Sequence, residues 1–219
     1  MLSMLLIMAY NIADSIWVAG LGPDALAALG FITPVFMIII GLGNGIGSGA
    51  NSLIARAIGG RNKERADNGA AHSLVMTIII AIIVPIIFLP MLKPMLNLMG
   101  AGNALQYGID YGNIVFGLMI VFLLSSVLSA LLRSEGDVNR ATVAMAITAI
   151  LNIVLDPIFI YMLGWGIQGA AWATIISASI SCLVMGYWIW GKKDTYLSVT
   201  FKGFKFSKNI VFDIRCSYS

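Results

Sequence analysis

Two carboxylates sit where charge is hardest to keep. Asp14 opens the stretch DSIWVAGLG and Asp156 opens DPIFIYMLG. Both follow one template: Asp, any residue, Ile, an aromatic, a β-branched residue, two variable positions, then Leu-Gly. Each acid interrupts a long apolar run, where an ionisable group at the centre of a bilayer costs about 2.5–3.5 kcal/mol on insertion scales. Asn152 stands four residues before Asp156, while Tyr10 and Asn11 precede Asp14 by one helical turn. Each acid therefore shares a helix face with neutral polar groups. Pro157 weakens the helix just after Asp156 and frees a backbone carbonyl. Carboxylate, amide and carbonyl oxygens are hard ligands suited to a small cation. With no basic residue expected inside a helix, each acid must be protonated, cation-bound or open to a water-filled cavity. That favours an ion or proton role over the plainer alternative, a structural acid held by a neighbouring helix.

The elements that must position these acids follow from composition. The 219-residue chain is 59% hydrophobic and 11% charged, with a mean hydropathy of +0.93. A soluble domain carries about 25% charge, so an all-α, polytopic membrane protein is expected. Apolar runs of about 18 residues or more mark spanning helices. Six are expected, over 2–20, 28–52, 68–91, 106–132, 140–162 and 170–191. Residues 1–191 then form a six-helix membrane lobe and 192–219 a basic cytoplasmic tail. Of the 13 Lys and Arg, all but Lys93 fall on one side of this arrangement. Basic residues favour the cytoplasmic side, so both ends are expected there. The net charge of +3 then faces anionic headgroups and does not call for a nucleic-acid partner. Helices one and five run in the same direction. Asp14 and Asp156 each lie eight residues before a helix-ending glycine, Gly22 and Gly164, roughly 12 Å along the axis. Two acids at one depth on parallel helices could share one site.

Other motifs read more plainly. GLGNGIGSGAN, over 41–51, lacks the Lys-Ser/Thr ending of a phosphate loop. Gly41, Gly45 and Gly49 instead form a small-residue stripe that permits close helix contact, with Asn44 as a candidate cavity-lining residue. His72, the single histidine, reads as an interfacial or packing residue. Cys182 and Cys216 suggest neither a disulfide nor a metal site. The N-terminus reads as a membrane helix and not as a removed signal peptide.

Taken in order, YNIADSIWVAGLGPDALAALGFITP, GLGNGIGSGANSLIARAIGGRNKERAD, LLRSEGDVNRATVAM, LNIVLDPIFI and GIQGAAWATIIS resemble the multidrug and toxic compound extrusion (MATE) family, in its prokaryotic, DinF-like branch. The resemblance runs from residue 1 to about residue 200. It implies a twelve-helix antiporter of two lobes, exchanging Na⁺ or H⁺ for bulky, often cationic drugs by alternating access. This chain would be the N-terminal lobe, with no cofactor beyond the coupling ion and no enzymatic activity. The tail would be a shortened inter-lobe linker. A second six-helix lobe, or a homodimer, would be the partner, and the cell membrane the location. The resemblance carries the cation or proton site onto Asp14, Asn152, Asp156 and Thr174, with Tyr10 in the supporting network. Asn11, three residues before Asp14 on the same helix face, joins that network, and the resemblance adds Ser126 as a cavity-lining candidate, where some relatives place a polar amide on the fourth helix.

Three other readings compete. An intramembrane aspartyl protease also needs two membrane aspartates, but it would want Gly-x-Gly-Asp where this chain has VLDP. A lipid-linked oligosaccharide flippase would need basic side chains in its cavity, and none is expected here. A non-transporting truncated membrane protein is the third. The topology has a direct check, with Cys182 and Cys216 first replaced by serine. A membrane-impermeant thiol reagent added to intact cells is expected to label Asn103→Cys and spare Asn62→Cys. Labelling of position 62 from outside would overturn the arrangement.

Overall fold

The computed structural model describes residues 12–191 and Tyr196, and within them every regular element is helical. Helix α1 covers 12–19. It ends in a turn at Gly22, whose φ of 116° suits glycine. Helices α2 (Pro23–Gly59) and α3 (Lys63–Leu98) follow. The fourth span is broken into α4 (Leu105–Gly117) and α5 (Ile120–Ser134), bent by 48° just after Gly117. Helix α6 (Val138–Pro157) continues past Pro157 into a π-helical turn over Ile158–Met162. Helix α7 (Gly166–Gly186) likewise ends in a π-helical turn, Tyr187–Gly191.

The helices outrun the expected apolar spans. At 37 residues, α2 is roughly 55 Å long, well beyond a hydrocarbon core of about 30 Å. Hydropathy stops at the first charge, but a helix stops where its backbone groups find other partners. The Asn62 side chain accepts the Arg65 N–H at 3.0 Å, so the charged run from Lys63 becomes the first turn of α3. Asp137 caps α6 in the same way, accepting the Arg140 N–H at 3.0 Å, and its other oxygen pairs with the Arg140 guanidinium at 3.2 Å. Lys93 and Pro94, placed by sequence in a loop, lie in the last turns of α3.

Side chains sort by the apolar solvent around them. Ile78, Ile79, Ile82, Ile83, Ile86 and Ile87 of α3 are exposed, as a lipid-facing surface requires. The interior is rich in alanine, with Ala25, Ala50, Ala66, Ala70, Ala170, Ala171 and Ala173 fully buried. Small residues let backbones approach where lipid offers no hydrophobic drive between helices. Helices α2 and α5 pack in parallel: Phe36 meets Phe122, Asn44 bonds Ser126 and Gly47 lies against Ala130. Helices α6 and α7 pack antiparallel, since Asn152 bonds Thr174 and the Ser181 hydroxyl donates to the Ala144 carbonyl at 2.9 Å.

Of the expected glycine stripe, Gly49 is buried, but the contact with α5 falls on neighbouring glycines. A Cβ on Gly43 would lie 3.1 Å from Leu123 and one on Gly47 3.3 Å from Ala130, whereas one on Gly41 meets open space. The close α2–α5 contact therefore uses Gly43 and Gly47. Gly169 of α7 is pressed against backbone: an added Cβ would sit 2.5 Å from the Phe159 carbonyl oxygen. Backbone cannot rotate away as a side chain can. Gly169→Ala is expected to cost about 1–3 kcal/mol, seen as a lowered midpoint of thermal unfolding in detergent, while Gly41→Ala leaves the midpoint unchanged or raises it.

Candidate functional site

Asn152 and Asp156 occupy one face of α6, one turn apart, and both are fully buried. The Asn152 amide nitrogen reaches two acceptors. It donates to Asp156 Oδ1 at 3.3 Å and across the helix interface to Thr174 Oγ1 of α7 at 3.2 Å. The Thr174 hydroxyl donates in turn to the Ala170 carbonyl at 2.9 Å, so its oxygen faces Asn152 as an acceptor. One amide thus ties the acid to its own helix and to the next.

Asp14 completes the group from α1. Its charge acts on Asp156, so the two carboxylates lie within electrostatic reach of each other. Asp14 Oδ1, Asn152 Oδ1 and Asp156 Oδ2 are buried and have no hydrogen-bond partner among the described residues. All three are oxygens, and none belongs to a cation. A buried acceptor without a donor is costly, and a buried carboxylate more so. A proton or a small monovalent cation among them relieves both costs, and hard oxygen donors suit Na⁺. Tyr10 and Asn11 lie outside the described residues.

Asn152 and Thr174 also reach the wall of a cavity of about 350 Å³ between α2, α5, α6 and α7. Asn44 and Ser126 line it, joined by a hydrogen bond of 3.2 Å from the serine hydroxyl to the amide oxygen. The rest of the lining is largely apolar, including Phe36, Ile40, Phe122 and Met145. Arg133 lines it as well. Sequence placed Arg133 in a loop, yet it lies in the last turn of α5. The expectation of a cavity free of basic side chains is thereby corrected.

Two further contacts escaped sequence reading. The Tyr161 hydroxyl donates to the Trp17 carbonyl at 2.6 Å, and the two rings pack edge to face at 6.1 Å. This pins the π-helical turn after α6 to α1, near the paired acids. Phe36 and Phe122 form a second edge-to-face pair, at 5.1 Å. Both pairs join residues far apart in sequence. Trp17 is the aromatic of the repeated template, but Tyr161 falls at one of its variable positions, and Phe36 and Phe122 lie outside it.

Comparison with known proteins places this geometry. The family profile described as MatE matches residues 1–158. The chain is 30% identical to the FAD transporter of Shewanella oneidensis over 192 residues, which are 85% of this chain and 42% of that protein. Two solved structures, an inward-facing and an outward-facing conformation of a multidrug resistance MATE family transporter of the MOP superfamily, are also similar. The first is 46% identical with a TM-score of 0.92, covering 94% of this chain and 47% of that one. The second is 45% identical with a TM-score of 0.93, covering 97% and 48%. The chain spans less than half the length of the curated relatives it matches.

The Asn152 bridge carries a stability prediction. Asn152→Ala removes the donor that serves both Asp156 and Thr174 and is expected to cost about 1–3 kcal/mol. Thr174→Val should cost less, because Asn152 keeps Asp156 as an acceptor. Thermal unfolding in detergent reads both. An unchanged midpoint in Asn152→Ala would mean that the bridge does not hold α6 to α7.

Proposed function

The chain belongs to the MatE family, and from that premise we propose that it is one lobe of a secondary antiporter that couples entry of Na⁺ or H⁺ to export of bulky organic molecules. Family members and the solved neighbours are transporters and not enzymes, which removes the aspartyl protease reading. The observation that carries the proposal is the trio of unmet oxygens on Asp14, Asn152 and Asp156, set beside a largely apolar cavity. The cell membrane is the proposed location, with the basic end of the bundle cytoplasmic. The relatives' names support a bulky cargo: one is an FAD transporter, others multidrug export proteins.

Coupling follows from the electrostatics. With both acids charged, Asp14 and Asp156 repel each other, and α1 is held to α6 and α7 less tightly. A proton or Na⁺ on the cluster removes that repulsion and lets α1 dock, with the Tyr161–Trp17 contact as the hinge point. The two packings differ in ion affinity, which is the condition for a ligand to shift a conformational equilibrium. The pair is expected to titrate as one unit. Because this chain matches inward- and outward-facing structures almost equally well, the larger motion is assigned to movement between lobes, around a site near their interface. A second lobe, or a second copy of this chain, completes the pathway.

In the completed transporter, Asp14→Asn and Asp156→Asn are each expected to abolish ion-driven efflux while expression is kept. Thr174→Ala should weaken the Na⁺ response only mildly, since it removes one neutral oxygen. Efflux of a fluorescent drug from cells or proteoliposomes under imposed Na⁺ or pH gradients measures this. Full efflux with unchanged ion dependence in Asp156→Asn would make that acid structural.

A further inference from the structure

Among the described residues the cavity wall has one charge, and it is positive. Arg133 lines the cavity at the basic end of the bundle, and no described Asp or Glu lines it. Among the described residues Arg133 has no side-chain hydrogen bond and no ion pair, so its guanidinium is unspent. One helical turn earlier on the same face of α5 stands Ser129, also in the lining. Its side chain is 6% exposed, and its hydroxyl has no partner among the described residues. Most other buried hydroxyls in the bundle bond a carbonyl in the preceding turn, as Thr77 and Ser177 do. Ser129 instead keeps a free donor beside a free cation.

A guanidinium fork next to a hydroxyl is a recognition set for a carboxylate, sulfonate or phosphate. Toward the other end of the cavity lie Phe36 and Phe122, set edge to face with centroids 5.1 Å apart. Phe122 and Arg133 are eleven residues apart on α5, roughly 16 Å along the axis. The lining is thus polarised, aromatic and aliphatic at one end, anion-binding at the other. We infer that this cavity takes a bulky aromatic organic anion, with its acidic group held by Arg133 and Ser129 and its ring system against Phe36 and Phe122. This rests on the export reading above and narrows its substrate class away from the cationic drugs that the family resemblance implied.

Matched dyes of opposite charge test it. Fluorescein, a dianionic xanthene, and rhodamine 6G, its cationic counterpart, are titrated with the purified full chain in neutral detergent. Binding is followed by fluorescence anisotropy against empty micelles. Fluorescein is expected to bind about tenfold tighter than rhodamine 6G or better, as charge-assisted hydrogen bonds allow. Arg133→Gln should bring the two dyes to within about threefold of each other, with Arg133→Lys between it and the wild type. Ser129→Ala should weaken fluorescein several-fold and leave rhodamine 6G unchanged, and it keeps the test alive if Arg133→Gln fails to fold. Rhodamine 6G bound as tightly as fluorescein, or tighter, overturns the anion assignment and leaves the export reading standing. Binding of neither dye overturns both.

Discussion

The central constraint on this bundle is a pair of acids within electrostatic reach of each other, Asp156 fully buried and Asp14 half-buried, with no cation among the described residues to balance them. Neither Asp14 nor Asp156 has an ion-pair partner among the described residues, and each has an oxygen without a donor. Taking an ionised carboxylate out of water costs far more than a hydrogen bond returns. A stable bundle must therefore hold a proton or a metal cation there, or let water in. The Asn152 amide fixes the local geometry by committing both of its donors, to Asp156 and to Thr174. Its own oxygen is left facing the acids' neighbourhood as an acceptor.

The surrounding bundle keeps its polar groups quiet, which sharpens the contrast. Hydroxyls of Thr77, Thr148, Ser177 and Thr174 each bond a carbonyl one turn back, a habit of Ser and Thr in helices. Alanine and glycine let the helices approach closely enough to exclude lipid. The unmet oxygens of the acids and Asn152 thus stand out as a site. The same contrast marks Ser129 and Arg133 on the cavity wall, where the unmet groups are donors. Around this site the unmet acceptors belong to α1 and α6 and the unmet donors to α5, so the ion and the proposed organic anion would meet different groups.

What could be read from sequence depended on whether the signal was local. The twin templates exposed Asp14 and Asp156, and the four-residue spacing exposed Asn152. Thr174 was reachable only through family resemblance, because its contact with Asn152 crosses a helix interface. The Tyr161–Trp17 clasp spans most of the chain and left no periodic trace. Helix ends were misjudged where charge and helix end do not coincide: Asn62 and Asp137 cap helices that begin inside polar runs. Arg133 was counted as a loop charge for the same reason. Its place in the last turn of α5, facing a cavity, depends on how α2 and α6 pack beside it. The glycine-rich stretch was found, but the glycines that meet α5 are Gly43 and Gly47 and not Gly41, since spacing alone does not say which face of α2 meets α5.

The central claim is that Asp156 is a titrating, ion-responsive acid and not a fixed strut. Infrared difference spectroscopy of the purified chain tests it most directly, comparing low with high pH and Na⁺ with a large organic cation. The account predicts a carboxylic-acid carbonyl band that bleaches as pH rises or Na⁺ is added, and that is missing in Asp156→Asn. Wild-type and Asp156→Asn difference spectra that superimpose under every condition would contradict it.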